Sequence, residues 1–205
     1  PAAACATSSA RGTAQISALN SESVTGLTTD QVSVLTTGQL AALSTATVKG
    51  LTSDQLVALT TDNIKGLTTA QVKALGSDQM AAIQTDDIKQ IGTAQIASLT
   101  ATNVVGLSTD QISALGTGQV MSLATAALSA LNSDQVVAFT TDGIKALTTA
   151  QVKALGSDQI AAIETDDIKV MTTAQIAAID TADIKGLSTD QIKSLSTDNV
   201  KGFTS

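Results

Sequence analysis

Apolar side chains recur at two fixed positions of an eight-residue unit that fills almost the whole chain. From Leu19 to Phe203 the sequence repeats a pattern of the type L-T-T-D-Q-V-K-A, and we name each octad by the number of its first residue. Position 1 is always Leu, Ile, Met or Phe, and position 6 is always Val, Ile, Leu or Met. Because each unit must bury these side chains against copies of itself, the pattern predicts a repeat architecture.

The polar positions contain the start signals of a short helix. In octad 67, Thr68 can act as the N-cap and Gln71 can reach back to the N–H group of Thr68, which is the capping-box arrangement. Leu67 and Val72 are placed to form the accompanying hydrophobic staple. All ten lysines lie at position 7, and all eighteen acidic residues lie at positions 2, 4 or 5, as the helix macrodipole favours. Each octad is therefore predicted to form one helix of about five or six residues.

Helices this short are predicted to be stable only when they pack on one another. Isolated helices shorter than about twelve residues are marginal in water. Position 8 is Ala, Gly or Ser in most octads, which lets neighbouring elements approach closely. Glycine there also permits a left-handed reversal of the chain. The predicted fold is all-α: a solenoid, or superhelix, of very short capped helices with one helix per octad.

A β-solenoid is the alternative fold. Thr and Val favour strands, and the octad is close in length to some β-helix repeats. However, a strand that contained positions 1 and 6 would point them to opposite faces of a sheet. The content of Ala, Gln and Lys also favours helices, so the helical solenoid is preferred.

The residue at position 5 suggests a second, longer period. From Leu27 the order at this position is Gln, Gln, other, Gln, other, and the same order recurs every five octads. The alternation predicts a solenoid turn of two and a half octads, or twenty residues, and a turn of five octads fits as well. Residues 67–89 and 147–169 are nearly identical, so duplication of an 80-residue block also explains the order.

Composition and charge exclude several classes of protein. Hydrophobic residues make up 43% of the chain and charged residues 14%, which argues against disorder. We expect an irregular tail at residues 1–10 and a single octad-repeat solenoid at residues 11–205. The net charge of −7 argues against nucleic acid as a partner. No apolar stretch reaches about eighteen residues, so no membrane span is predicted.

The chain offers little catalytic chemistry. It has no His, Tyr or Trp. The two pairs of adjacent aspartates, Asp86-Asp87 and Asp166-Asp167, lie in the first turn of a predicted helix, where the helix dipole already favours carboxylates. We predict that the protein is not an enzyme and has no cofactor or metal site. A Ca²⁺ site is the weaker alternative, because Asp, Asn and Thr recur in register but no EF-hand loop is present.

The octads L-[TS]-[TS]-x-Q-[VI]-x-[AG] resemble, over nearly the whole chain, the long repeat tracts of large secreted or surface proteins of proteobacteria, which are described as adhesin-like or hemagglutinin-like. That resemblance implies an extracellular or cell-surface protein with a structural or adhesive role.

Three functions fit the sequence. The first is a structural rod that stacks on itself as a head-to-tail homopolymer and forms a filament, a sheath or an adhesin stalk. In that polymer the tail of one subunit would cover Phe203 of the next, and the lone Cys5 would lie at the subunit contact. The second is a surface-binding module for ice, glycan or mineral that uses rows of Thr and Ser hydroxyls. The third is a spacer stiffened by calcium.

Overall fold

The protein consists of short helices throughout the part of the chain that the structure describes. A computed structural model describes residues 12–204, and no strand occurs among them. The α-helices are four to six residues long and the 3-10 helices three or four. The all-α prediction is therefore confirmed, and the β-solenoid alternative is not supported.

Contacts divide the chain at Leu99 into two compact units, each described by itself. In the first unit the α-helices are Thr13–Ser17, Thr29–Ser33, Thr37–Ala42, Thr45–Lys49, Ser53–Val57, Thr69–Ala74, Ser77–Ala82, Thr85–Ile88 and Thr93–Ile96, and the 3-10 helices are Ser23–Gly26 and Ile64–Gly66. In the second unit the α-helices are Ala101–Val104, Thr109–Ser113, Thr117–Ser122, Thr125–Leu128, Ser133–Val137, Thr141–Ala146, Thr149–Lys153, Ser157–Ala162, Thr165–Val170, Thr173–Ala178, Thr189–Ser194 and Thr197–Val200, and the 3-10 helices are Ile184–Gly186 and Lys201–Thr204.

The capping box predicted from the sequence starts most of these helices. In octad 67 the N–H group of Gln71 donates to Oγ1 of Thr68 at 3.2 Å, and the N–H group of Thr68 donates to Oε1 of Gln71 at 2.7 Å. Where position 2 is Gly76, only the second of these bonds forms, to Gln79 at 3.0 Å, because glycine has no side chain. The N-terminal donors of these helices are thus satisfied within a few residues of sequence.

The apolar positions form the core, as predicted. Position 6 is at most 2% exposed from Ile16 to Ile176, and position 1 is at most 5% exposed from Leu35 to Ile179. Burial of one such side chain contributes about 1.5–3 kcal/mol. Exposure at position 6 rises to 44% at Ile192 and 49% at Val200.

Within each unit, most elements pack against the element three octads earlier. The helix of octad 67 packs on the helix of octad 43, and the helix of octad 155 packs on the helix of octad 131. The hydrogen bonds from the side chain of Gln71 to the preceding layer span 28, 30 and 31 residues. The predicted turn of twenty residues is therefore wrong, and so is the turn of five octads, because either would bring different octads together.

Glycine at position 8 has one of the two roles predicted for it, the close approach of neighbouring elements, and not the other. No described residue, glycine or other, has a positive φ, so these glycines do not reverse the chain in a left-handed conformation. A Cβ atom at Gly66 would lie 2.4 Å from the carbonyl oxygen of Thr37, and one at Gly50 would lie 2.4 Å from that of Ser21. The missing side chain lets one layer approach the backbone of the layer below.

Candidate functional site

The most regular chemical feature of the molecule is a ladder of buried amides at position 5. Nε2 of Gln71 donates to the carbonyl oxygens of Leu40 at 2.9 Å and Leu43 at 2.7 Å, one layer earlier. Its Oε1 meanwhile accepts from the N–H group of Thr68. One side chain therefore caps its own helix and bonds to the preceding layer.

The same amide bridge recurs along both units. It is made to carbonyls 28 and 31 residues earlier by Gln55, Gln71, Gln79, Gln135, Gln151, Gln159, Gln175 and Gln191. Among the described residues, no buried side-chain polar atom lacks a hydrogen-bond partner. The buried amides are thus hydrogen-bonded within the fold itself.

The acidic pair Asp86-Asp87 is split between two environments. Asp86 is exposed and its carboxylate accepts a hydrogen bond from Nζ of Lys89 at 2.8 Å. That bond and the charge of Lys89 lower the pKa of Asp86. Asp87 occupies position 5 and is only 3% exposed, so burial, helped by the charge of Asp86, raises its pKa to about 6. The pair does not form a shared site for a substrate, because one carboxylate faces solvent and the other lies within the packing.

Asp166-Asp167 is arranged in the same way. Asp166 is exposed and accepts from Nζ of Lys169 at 2.6 Å, which lowers the pKa of Asp166, whereas Asp167 is buried. Position 4 and position 7 are three residues apart, so their side chains meet on the outer surface of one helix. This spacing adds a local ion pair to the macrodipole effect inferred from the sequence.

The hydroxyls of positions 2 and 3 are used differently. Position-2 hydroxyls such as that of Thr148 are used as N-caps, here for Gln151 at 3.2 Å. Position-3 residues such as Thr149 are mostly exposed. Two of them instead bridge layers: Ser157 donates to Oδ1 of Asp183 at 2.7 Å, and Thr173 donates to the carbonyl oxygen of Asp198 at 3.2 Å.

Two grooves open on the surface between layers. The larger, of about 640 Å³, lies in the second unit and is lined by Ser129, Leu131, Asn132, Ser133, Gly156, Ser157, Asp158 and Gln159. The smaller, of about 390 Å³, lies in the first unit and is lined by residues 33–37 together with Thr60, Asp62 and Asn63. Asp158 and Asp62 are the acidic residues of these walls.

The subunit contact predicted at Cys5 and Phe203 joins two copies of the chain and stays a prediction. Phe203 is half-buried in the 3-10 helix Lys201–Thr204, and Cys5 lies outside the described residues. In residues 12–204, no group of three or more His, Cys, Asp and Glu side chains is placed to hold a metal ion. No helix in this part of the chain is long and apolar enough to cross a bilayer.

Sequence reasoning missed the second role of the position-5 glutamine. The capping box uses the Oε1 atom of this residue, and no partner was predicted for its Nε2 group. The signal was present in the sequence, because Asn, which also carries an amide donor, replaces Gln at residues 63, 103 and 199. Asn63 indeed donates from Nδ2 to the carbonyl oxygen of Val32, 31 residues earlier, at 3.2 Å.

Comparison with protein families identifies the repeat. The family model described as ALTTAQ repeat matches six overlapping or neighbouring segments: residues 32–69, 80–117, 112–149, 138–162, 160–197 and 176–205. A search of curated proteins found no match to the chain.

Proposed function

Because the chain belongs to the ALTTAQ repeat family, we propose that it is an extracellular structural repeat protein. In this proposal the helices continue as a solenoid, and the resulting rod stacks on other copies head to tail to form a filament, a sheath or an adhesin stalk. The amide ladder is the observation that carries the proposal. Buried glutamine side chains donate to carbonyl oxygens of the preceding layer and so bond the layers to one another.

The distribution of roles within the octad supports this proposal. Position 2 caps the helix, position 5 bonds the preceding layer, and positions 1 and 6 fill the core. An architecture that extends by repetition and contacts only neighbouring layers produces an elongated body. Heterologous contacts between the ends of such bodies generate open filaments.

Negative-stain electron microscopy and size-exclusion chromatography with light scattering test the proposal on the full chain. The expected particles are rods, with lengths that grow as protein concentration rises. A compact particle of one size at every concentration would contradict the rod. Antibody labelling of intact source cells tests the location, since a surface protein is labelled without permeabilising the cells.

A second candidate is a surface-binding module for ice, glycan or mineral. The exposure of position-3 residues such as Thr69 and Thr149 favours it, because their hydroxyls are presented at one per octad in a regular array. Replacing exposed position-3 threonines by valine would abolish binding to the solid or glycan in question while leaving helix content unchanged. Binding that survives these replacements would exclude the hydroxyl rows as the contact.

A further inference from the structure

The larger of the two grooves lies between two packed layers of the second unit, where octad 155 packs on octad 131. Its walls come from position 7 of octad 123, positions 1–3 of octad 131 and positions 2–5 of octad 155. Its volume of about 640 Å³ is that of a small-molecule site, for which roughly 300–1,000 Å³ is usual.

The smaller groove occupies the same place in the octad pattern of the first unit. Its walls come from positions 7 and 8 of octad 27, positions 1–3 of octad 35 and positions 2, 4 and 5 of octad 59. Position 2 of the later octad is Thr60 in this groove and Gly156 in the larger one. A Cβ atom added at Gly156 would have nothing within 4 Å. Glycine therefore leaves open space where the smaller groove has a threonine side chain.

Three polar groups on the wall of the larger groove are not used by the fold. Oδ1 of Asn132 accepts from the N–H group of Gln135 at 2.9 Å, whereas its Nδ2 group has no hydrogen-bond partner among residues 12–204. The hydroxyl of Ser133 and the carboxylate of Asp158 also lack a partner within this range, and Asp158 belongs to none of its ion pairs. All three residues are exposed.

The equivalent groups of the smaller groove are more fully engaged. The hydroxyl of Thr36 is bonded to Gln39, and Asp62 shares its octad with a lysine, Lys65. Octad 155 has Ala161 at that position, so Asp158 has no lysine in its own octad. The larger groove is thus both the more open and the richer in unused polar groups.

We propose that the larger groove binds a neutral saccharide. A carboxylate only accepts, an amide NH₂ group only donates and a serine hydroxyl does both, so Asp158, Asn132 and Ser133 together complement neighbouring sugar hydroxyls. The wall has no Lys or Arg to balance an anion, and an apolar ligand would leave its polar groups unpaired. This site goes beyond the rod proposed above and does not depend on it: electron microscopy decides the rod, and saccharide binding decides the groove.

Saturation-transfer NMR of the full chain tests the site, with cellobiose, lactose, mannobiose and chitobiose as probes. Transfer to at least one probe is expected, and titration of that probe gives its Kd. Asp158→Ala removes the charged acceptor and supplies the residue that octad 147 has at position 4, Ala150. The variant is expected to bind ~10-fold more weakly, as the loss of a hydrogen bond to a charged group does.

Gly156→Thr fills the groove without removing any polar group. The backbone of Gly156, with φ −87° and ψ 172°, is close to that of the threonine cap Thr148, with φ −72° and ψ 158°. Threonine is therefore expected to cap the helix and to keep the melting temperature at or above that of the parent chain. Binding of the probe is expected to weaken by at least ~10-fold, because the side chain takes the space of the ligand.

The matched controls lie in octad 75, whose first five residues are identical to those of octad 155. Gly76→Thr and Asp78→Ala make the same changes at residues that line neither groove, and both are expected to bind like the parent chain. Thr149→Val removes an exposed position-3 hydroxyl outside the groove and is also expected to bind normally. Circular dichroism checks that every variant keeps its helix content.

The absence of transfer to all four probes would overturn the proposal. It would also be overturned if Gly156→Thr and Asp158→Ala bound like the parent chain, or if the octad-75 controls lost binding to the same extent. Loss of binding in Thr149→Val alone would assign the saccharide to the exposed hydroxyl rows instead. If calorimetry detected Ca²⁺ binding that Asp158→Ala abolished, and no probe bound, the groove would be a cation site.

Discussion

At the scale of single residues, the position-5 glutamine has the most demanding role in the octad. Gln151 accepts from the N–H group of Thr148 at 2.8 Å and donates to the carbonyl oxygens of Val120 and Leu123, both at 2.8 Å. These bonds hold the start of one helix against the preceding layer. Only a side chain with both an acceptor and a donor at this length can make them all.

We expect Gln151→Leu to destabilise the protein by about 2–4 kcal/mol, because it leaves buried backbone groups without partners. Thr148→Ala removes the cap alone and is expected to cost about 1 kcal/mol. Lys153→Ala, at an exposed position, is expected to change stability by less than about 0.5 kcal/mol. Urea unfolding followed by circular dichroism measures the three. A larger loss for Lys153→Ala than for Thr148→Ala would contradict the assignment of the caps.

The core positions make an equally direct prediction. Ile160, at position 6, is 0% exposed, so Ile160→Asp would bury a carboxylate without a partner. The expected loss is at least about 3 kcal/mol. Ala161→Asp places the same group one residue later, at an exposed position, and is the matched control. Equal melting temperatures for the two variants would show that position 6 is not interior.

Burial of Asp87 predicts an unusual dependence of stability on pH. Its pKa is raised from 3.8 to about 6, so the folded state binds this proton more tightly than the unfolded state does. Below pH ~4 Asp87 is protonated in both the folded and the unfolded state, so its burial does not lower the stability of the protein. As the pH rises towards 6 the unfolded state ionises first, and the contribution of Asp87 to stability falls by about 1–3 kcal/mol.

Asp87→Asn removes this group and supplies an amide like that of Asn63. We expect the variant to be more stable than the parent chain by about 1–3 kcal/mol at pH 8 and to match it near pH 4. Urea unfolding at the two pH values measures the difference between variant and parent, which cancels the titration of the other carboxylates. Asp86→Asn, at the exposed neighbour, should not reproduce the gain. If the difference in unfolding free energy between Asp87→Asn and the parent were no larger at pH 8 than at pH 4, the predicted effect of burying Asp87 would be refuted.

At the scale of helices, the sequence predicts local features well and the contacts between layers poorly. The caps, the staples and the buried positions were predicted because each depends on residues no more than about five positions apart. The number of octads per layer was not, because it depends on small rotations between successive helices that no single residue determines. The order of Gln at position 5 suggested twenty residues per turn, yet the layers are three octads apart.

The sequence does contain a pattern that is related to the contact between layers. The structure is needed to explain it. Glycine occupies position 8 at residues 26, 50, 66, 106, 186 and 202, and in each of these octads position 5 is Ser, Thr, Asn or Asp and never Gln. Asn63 is one methylene shorter than glutamine, and still bonds the layer below. We infer that the shorter amide requires a closer approach, which glycine at position 8 permits.

Gly66→Ala should therefore destabilise the protein by about 1–3 kcal/mol, because the added Cβ would lie 2.4 Å from the carbonyl oxygen of Thr37. Gly26→Ala is the matched control, since position 8 of octad 19 has nothing within 4 Å of the added atom. Adding Asn63→Gln to Gly66→Ala should recover part of the loss. A double-mutant cycle in urea measures this coupling, expected at about 0.5–3 kcal/mol. Additive losses would refute the link between the two positions.

At the scale of the whole molecule, the layer spacing determines which charged residues share a face. With twenty residues per turn, aspartates of octads 27, 51 and 75 would not share a face. The sequence therefore predicted the positions of the charges within each octad correctly, but it did not predict which octads share a charged face. A candidate surface in a repeat protein becomes visible only when the period of the layers is known.

The layer spacing also sets the shortest fragment that can fold. In a fragment of three octads, such as residues 147–170, no octad has the partner three octads away on which its helix packs and to which its amide bonds. Helices of four to six residues without such contacts are expected to be largely unfolded. The second unit alone, residues 100–205, contains many such pairs within itself and is expected to keep its helices.

Fragments of the second unit that begin at residue 107 and contain three, six, nine and twelve octads measure this dependence. We expect the circular dichroism signal per residue to be coil-like for the shortest fragment and to rise steeply thereafter, because each added octad supplies one new layer contact. The melting temperature should rise in the same order and level off as interior layers outnumber terminal ones. If the three-octad fragment were as helical per residue as the twelve-octad fragment, capping alone would stabilise the octads, and the amide ladder would not be what holds the layers together.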